Sequence, residues 1–134
     1  MYRLCLMVLF VLTLVWTIGC GSPPPKGAAP AATVKGTINM DGKPLPAGEL
    51  HFGSEGVPPR VLQVTNGAFS GEAPVGKNQV ELFIYVEGPP TEKYPGVPTK
   101  KNTAPAKYSG PKTPLEATVT TGGTNDFKFD VKSK

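Results

Sequence analysis

At 134 residues the chain has room for one hydrophobic core and no second. Its 16 glycines and 16 prolines stand well above ordinary usage, which excludes a helical bundle and favours short strands joined by turns. The formal charge is only +4, and Arg3 and Arg60 are the only arginines, so bidentate phosphate recognition, and with it nucleic-acid binding, is excluded by composition.

The first predicted element is a leader. Met1-Tyr2-Arg3 gives a short basic start, and Leu4 to Ile18 is apolar except for Thr13 and Thr17. That run suits the apolar region of a signal peptide and falls short of a membrane span. It ends at Gly19-Cys20, a small residue followed by a cysteine. Ile18-Gly19-Cys20 resembles the bacterial lipoprotein signal, and the resemblance implies that residues 1–19 are removed and that Cys20 becomes a lipid-bearing first residue. An uncleaved anchor helix and cleavage after Ala29-Pro30-Ala31 are the other two readings. Cys5 lies in the leader, so the mature domain has no disulfide, no metal thiolate and no cysteine nucleophile.

Residues 20–32 are expected to be a disordered tether. Pro23, Pro24, Pro25 and Pro30 punctuate a stretch of small residues with nothing to bury. In extended polyproline-like form at ~3.1 Å per residue, it would hold the domain roughly 30 Å from the membrane.

Residues 33–134 read as one domain of seven strands. Val34, Gly36, Ile38 and Met40 share one face of the first, and Asp41-Gly42 makes its turn. A second runs from Gly48 to Phe52, with Leu50 and Phe52 inward and Glu49 and His51 outward. Residues 53–59 read as a loop, and Arg60 to Thr65 as a short strand. Asn66-Gly67 then turns the chain into a strand bearing Phe69, Gly71 and Ala73. Asn78 to Glu87 is the most strand-prone segment. Val80, Leu82, Ile84 and Val86 form one face while Phe83 and Tyr85 make the other half apolar, which predicts a core strand buried on both sides. Residues 88–112 are irregular, with six prolines and five lysines. Leu115–Thr120 and Asp126–Lys132 complete the set, Leu115, Ala117 and Val119 facing Phe127, Phe129 and Val131. The fold class expected is all-β, a single seven-stranded antiparallel β-sandwich.

Several short elements carry a family resemblance by their order and spacing. They are Val34, Gly36 and Ile38; the turn Asp41 to Leu45; the hairpin Asn66 to Phe69; Pro74 and Gly76; and Pro105, Lys107 and Tyr108 with Thr113, Pro114 and Leu115. Together they make the chain similar to small exported lipoproteins of planctomycete-type bacteria with a transthyretin-like or carboxypeptidase-regulatory-like sandwich. The resemblance implies that architecture and a membrane-anchored location in the cell envelope, and it brings no catalytic activity.

Chemistry-bearing constellations are sparse. His51 is the only histidine and points outward, which speaks against a zinc site and against a hydrolase built on several histidines. Asp126 and Asp130 share a strand face with Lys128 between them, a pattern of solvated charges before it is a calcium site. Lys35 with Asn125 or Asp126, and Glu72 or Glu81, echoes an isopeptide crosslink, but Lys35 alternates to the outer face. The best candidate for recognition is the loop 92–112, where Tyr94, Lys100, Lys101, Lys107 and Tyr108 combine aromatic and cationic contacts. The competing reading pins that loop to the sandwich edge through Tyr108 and Leu115.

We therefore expect a non-enzymatic, cofactor-free protein held to a membrane by a palmitoyl-type lipid on Cys20. It faces the periplasm or exterior, on the outer membrane in preference to the inner because Gly21 and Ser22 lack a retaining Asp. Its role is structural or adhesive, or that of a carbohydrate- or ligand-binding module using the loop 92–112. Envelope polysaccharide or another envelope protein is the expected partner.

Overall fold

The computed structural model describes residues 29–134, which form strands and turns with no helix. The expected leader, Cys20 and most of the tether lie outside the described residues. Ten strands are present: β1 (Ala31–Met40), β2 (Lys43–Pro44), β3 (Ala47–Ser54), β4 (Val57–Thr65), β5 (Ala68–Pro74), β6 (Gly76–Phe83), β7 (Tyr85–Gly88), β8 (Thr99–Asn102), β9 (Glu116–Val119) and β10 (Asp126–Val131). Seven follow one another across a continuous sheet in the order β10-β1-β5-β4-β3-β6-β9, with β2 beside β1. Strands β7 and β8 make a separate two-stranded ribbon.

Two tight turns set the register. Asp41-Gly42 and Asn66-Gly67 both hold positive φ at two consecutive residues, the conformation of a hairpin turn that matches strand twist. The pattern of alternation then places one side chain in two on a common inner face. Val34 and Ile38 from β1, Leu50 and Phe52 from β3, and Val80 and Leu82 from β6 are all fully buried. Burying a side chain of this size contributes about 1.5–3 kcal/mol each.

The sheet curls over that core. Three strands separate β3 from β10 in the order, yet the Phe52 ring lies 6.4 Å from Phe127 and 6.5 Å from Phe129. Gly36 permits the close approach of β10 to β1, because a Cβ there would collide with the Phe127 carbonyl oxygen and the Phe69 ring. The two edge strands, β9 and β10, share no ladder, and the ends of the sheet are tied by side chains instead. Two side chains stitch this seam. At one end the Asn125 amide donates to the Thr33 and Thr120 carbonyls at 3.0 and 2.9 Å, while its oxygen accepts from the Thr120 N–H at 2.8 Å. At the other end the Tyr108 carbonyl accepts from Leu82 N–H at 2.7 Å and its hydroxyl accepts from Lys132 N–H at 3.2 Å.

The structure corrects five expectations. There are ten strands rather than seven, and β1 with β10 is a parallel pair in an otherwise antiparallel arrangement. The expected loop 53–59 is mostly strand, closed by a turn at Glu55-Gly56. Pro58 and Pro59 are tolerated because β5 pairs with β4 only at Val64 and Thr65, so no ladder there requires their missing N–H groups. The strand expected over 78–87 breaks at Ile84. Its N–H donates to the Asn102 side-chain oxygen and its carbonyl accepts from Thr103 N–H, which turns the chain out of the sheet. Finally, β1 begins at Ala31, two residues inside the expected tether, and pairs there with Pro74.

Candidate functional site

Strand direction gives the molecule two unlike poles. Strand β1 runs away from Ala31; β5 returns, β4 runs out, β3 returns and β6 runs out again, each antiparallel to the last. The chain therefore arrives at the pole that holds Ala31, Pro74 and the Thr120–Asn125 turn, where the Pro30 carbonyl accepts from Val75 N–H at 2.8 Å. The β7–β8 ribbon leaves β6 at its outgoing end, so it stands at the opposite pole.

That ribbon holds most of the exposed large apolar side chains among the described residues. Five large apolar side chains are strongly exposed among the described residues, and four of them lie here: Tyr85 (42%), Val86 (46%), Tyr94 (59%) and Val97 (59%). The fifth, Val61, sits on the sheet face. The tip is ordered by two successive turns, with Tyr94 N–H donating to the Thr91 carbonyl at 3.0 Å and Val97 N–H to the Tyr94 carbonyl at 3.3 Å. Pro89, Pro90, Pro95 and Pro98 restrict its backbone further. The base is clamped by Asn102, whose oxygen accepts from both Ile84 and Ala104 N–H at 3.0 Å.

Cationic charge gathers in the same segment. Residues 85–112 hold five lysines against Glu87 and Glu92, a net of +3; the other described residues hold seven basic against eight acidic groups, a net of −1. Lys100 and Lys101 are exposed on β8, opposite Glu87 and Val86 in the ladder. The Lys93 ammonium lies 5.6 Å from the centre of the Tyr94 ring, within cation–π range.

The five residues expected to form a recognition loop are thus divided. Tyr94, Lys100 and Lys101 belong to the exposed ribbon. Lys107 is exposed but sits apart from it, its ammonium 4.8 Å from the Tyr108 ring and donating to the Lys134 carbonyl at 3.2 Å. Tyr108 itself is buried, with 7% of its surface exposed and its hydroxyl on the Lys132 backbone. It is a seam residue and offers no surface to a ligand. Sequence reading missed Tyr85, Val86 and Val97. The available signal was their place immediately before or within a proline-dense run, which the main sheet does not continue through.

The remaining constellations do not assemble. Lys35 pairs with Asp126 at 3.9 Å on the open surface, and Asn125 is committed to the seam, so the isopeptide grouping is not formed. Asp130 accepts from the Asn39 amide at 3.0 Å, and no cluster of three metal-ligating side chains occurs among the described residues. His51 points outward as expected but is half-buried, its ring 4.4 Å from Phe83 and Nε2 3.4 Å from a Glu49 carboxylate oxygen. It borders an open groove of about 720 Å³ with Lys77, Gln79, Glu81 and Glu116. Lys77 and Glu116 pair across that groove at 3.1 Å.

No family model, curated protein or solved structure matches the chain.

Proposed function

We propose that this protein is a non-catalytic interaction module of the cell envelope, anchored through lipid on Cys20 and presenting the β7–β8 ribbon to another envelope component. Its domain is a transthyretin-like β-sandwich, the two halves of the curled sheet serving as the two layers. The observation that carries this reading is the polarity of the chain. The Pro-rich segment leads into the domain at one pole, and four of the five exposed large apolar side chains lie in the ribbon at the other. A lipid on Cys20 with a spacer of roughly 30 Å would leave the ribbon directed away from the anchor. Rigid scaffolds commonly carry their binding residues on such projecting segments.

Two measurements test the reading. A palmitate analogue supplied to cells should label the protein, and Cys20→Ala should abolish the label; label that survives the substitution overturns the anchor. A photo-crosslinking residue at Tyr94 should capture envelope material several-fold more than the same residue at Lys128, on the outer face of β10. Equal capture at both positions would remove the ribbon from its role.

A further inference from the structure

We propose that the ribbon's partner is a lipid surface bearing anionic headgroups, into which the tip around Tyr94 and Val97 inserts. This rests on the reading of the ribbon as the contact element. Three features of the tip point to lipid. First, its apolar groups are of the wrong kind for a glycan: Val86, Val97 and four prolines offer no hydrogen bonds, whereas a polysaccharide presents hydroxyls that need donors and acceptors. Second, Tyr94 has the amphipathic ring that settles at a membrane–water interface. Third, Lys93, Lys100 and Lys101 stand beside and behind the apolar tip, where their ammonium groups reach headgroup phosphates while the valines enter the acyl boundary. Glu87 stands opposite Lys100 in the ladder and Glu92 lies beside Lys93, so the ribbon's three lysines exceed its two acids by one.

The tip is also prepared for this task. Its two turns and its prolines hold Tyr94 and Val97 outward before any partner arrives, so little ordering remains to oppose insertion. Because the ribbon stands opposite the pole where the chain arrives, an anchored copy would hold one membrane at Cys20 and touch lipid at its far end.

Capture of protein-free vesicles tests the proposal. The full lipid-anchored protein is reconstituted in phosphatidylcholine vesicles and immobilised, then offered dye-labelled vesicles of phosphatidylcholine with phosphatidylglycerol. Capture is expected, and vesicles of phosphatidylcholine alone should be captured far less. Removing two lysines (Lys100→Gln with Lys101→Gln) should weaken capture about 25-fold, at about five-fold per lysine, and raised salt should act in the same direction. Tyr94→Ser with Val97→Ser, both at exposed positions where folding is not at stake, should also weaken it several-fold. Circular dichroism confirms the fold of each variant. Capture that ignores Tyr94→Ser with Val97→Ser overturns lipid insertion. If instead a soluble anionic polysaccharide binds in a lysine-dependent, Val97-independent way and vesicles are not captured, the lipid proposal fails while the interaction module stands.

Discussion

Strands β6 and β7 are separated by one residue, and the same alternation of side chains runs through both, yet they meet opposite surroundings. Val80 and Leu82 are fully buried, whereas Val86, four residues further on, is among the most exposed apolar side chains described. The difference lies in their partners. Strand β6 is flanked by β3 and β9 and its Val80 and Leu82 lie in the buried core; among the described residues β7 pairs with β8 alone, and Tyr85 and Val86 stay exposed. An apolar residue in a strand is therefore core only where the rest of the curled sheet covers it. Ile84 marks the point where that cover ends, since Asn102 and Thr103 take both of its backbone groups and redirect the chain.

The largest expected effect tests this contrast directly. Leu82→Ala removes a fully buried side chain and leaves a cavity, and should cost about 2–5 kcal/mol of unfolding free energy. Val86→Ala should stay within about 0.5 kcal/mol, as exposed substitutions do. Urea denaturation of the two variants measures both. Comparable losses would mean that the ribbon is packed into the core and is no free projection.

A smaller effect separates the two tyrosines that the sequence offers as one site. Tyr108→Phe keeps the ring in the core and removes only the hydroxyl that accepts from Lys132 N–H. It should cost about 1 kcal/mol and lower Tm by a few degrees, with ribbon-dependent crosslinking unchanged. Tyr94→Phe should do neither, because its hydroxyl has no hydrogen-bond partner among the described residues. A loss of crosslinking in Tyr108→Phe with stability intact would return that residue to the contact surface.

How much of this was legible in the chain follows from the range of the forces involved. The hairpin turns were, because Asp41-Gly42 and Asn66-Gly67 impose positive φ locally. So were the inward faces, because alternation is written residue by residue: Val34, Ile38, Leu50, Phe52, Val80 and Leu82 all lie where the pattern puts them. What could not be read is set by distant partners. The half-apolar outer face of 78–87 looked buried on both sides because nothing local says that the chain turns away at Ile84. The parallel pairing of β1 with β10 joins residues some 90 positions apart and has no local signature. For the candidate site, the proline-rich lysine segment does hold the exposed Tyr94, Lys100 and Lys101, but Tyr108 was drawn into it by proximity in sequence alone. Its burial depends on Leu82 and Lys132, which the curl brings to it.

The smallest expected effect concerns the far pole beneath the ribbon, where the chain also ends. Asp41 stands in the first hairpin turn with φ of 51°, and its carboxylate accepts from Ser133 N–H at 3.1 Å. Hydrogen bonds from Ser133, the side chain first and the backbone second, hold its pKa below the ordinary 3.8, with Lys132 and Lys107 adding in the same direction. The folded state thus favours the charged carboxylate. Its contribution is present above the ordinary aspartate value and is lost as pH falls through the lowered one. The C-terminal residues should therefore loosen from the turn only in strong acid, seen as faster amide exchange at Ser133 while β1 and β10 stay protected. Asp41→Asn accepts the same backbone conformation and cannot ionise, so it should flatten that dependence without unfolding the hairpin. If Ser133 exchange in the parent protein shows no acid-dependent rise beyond its intrinsic chemistry, the carboxylate does not hold the terminus. The C-terminal residues would then be held by the Tyr108 hydroxyl on Lys132 N–H and the Lys107 ammonium on the Lys134 carbonyl.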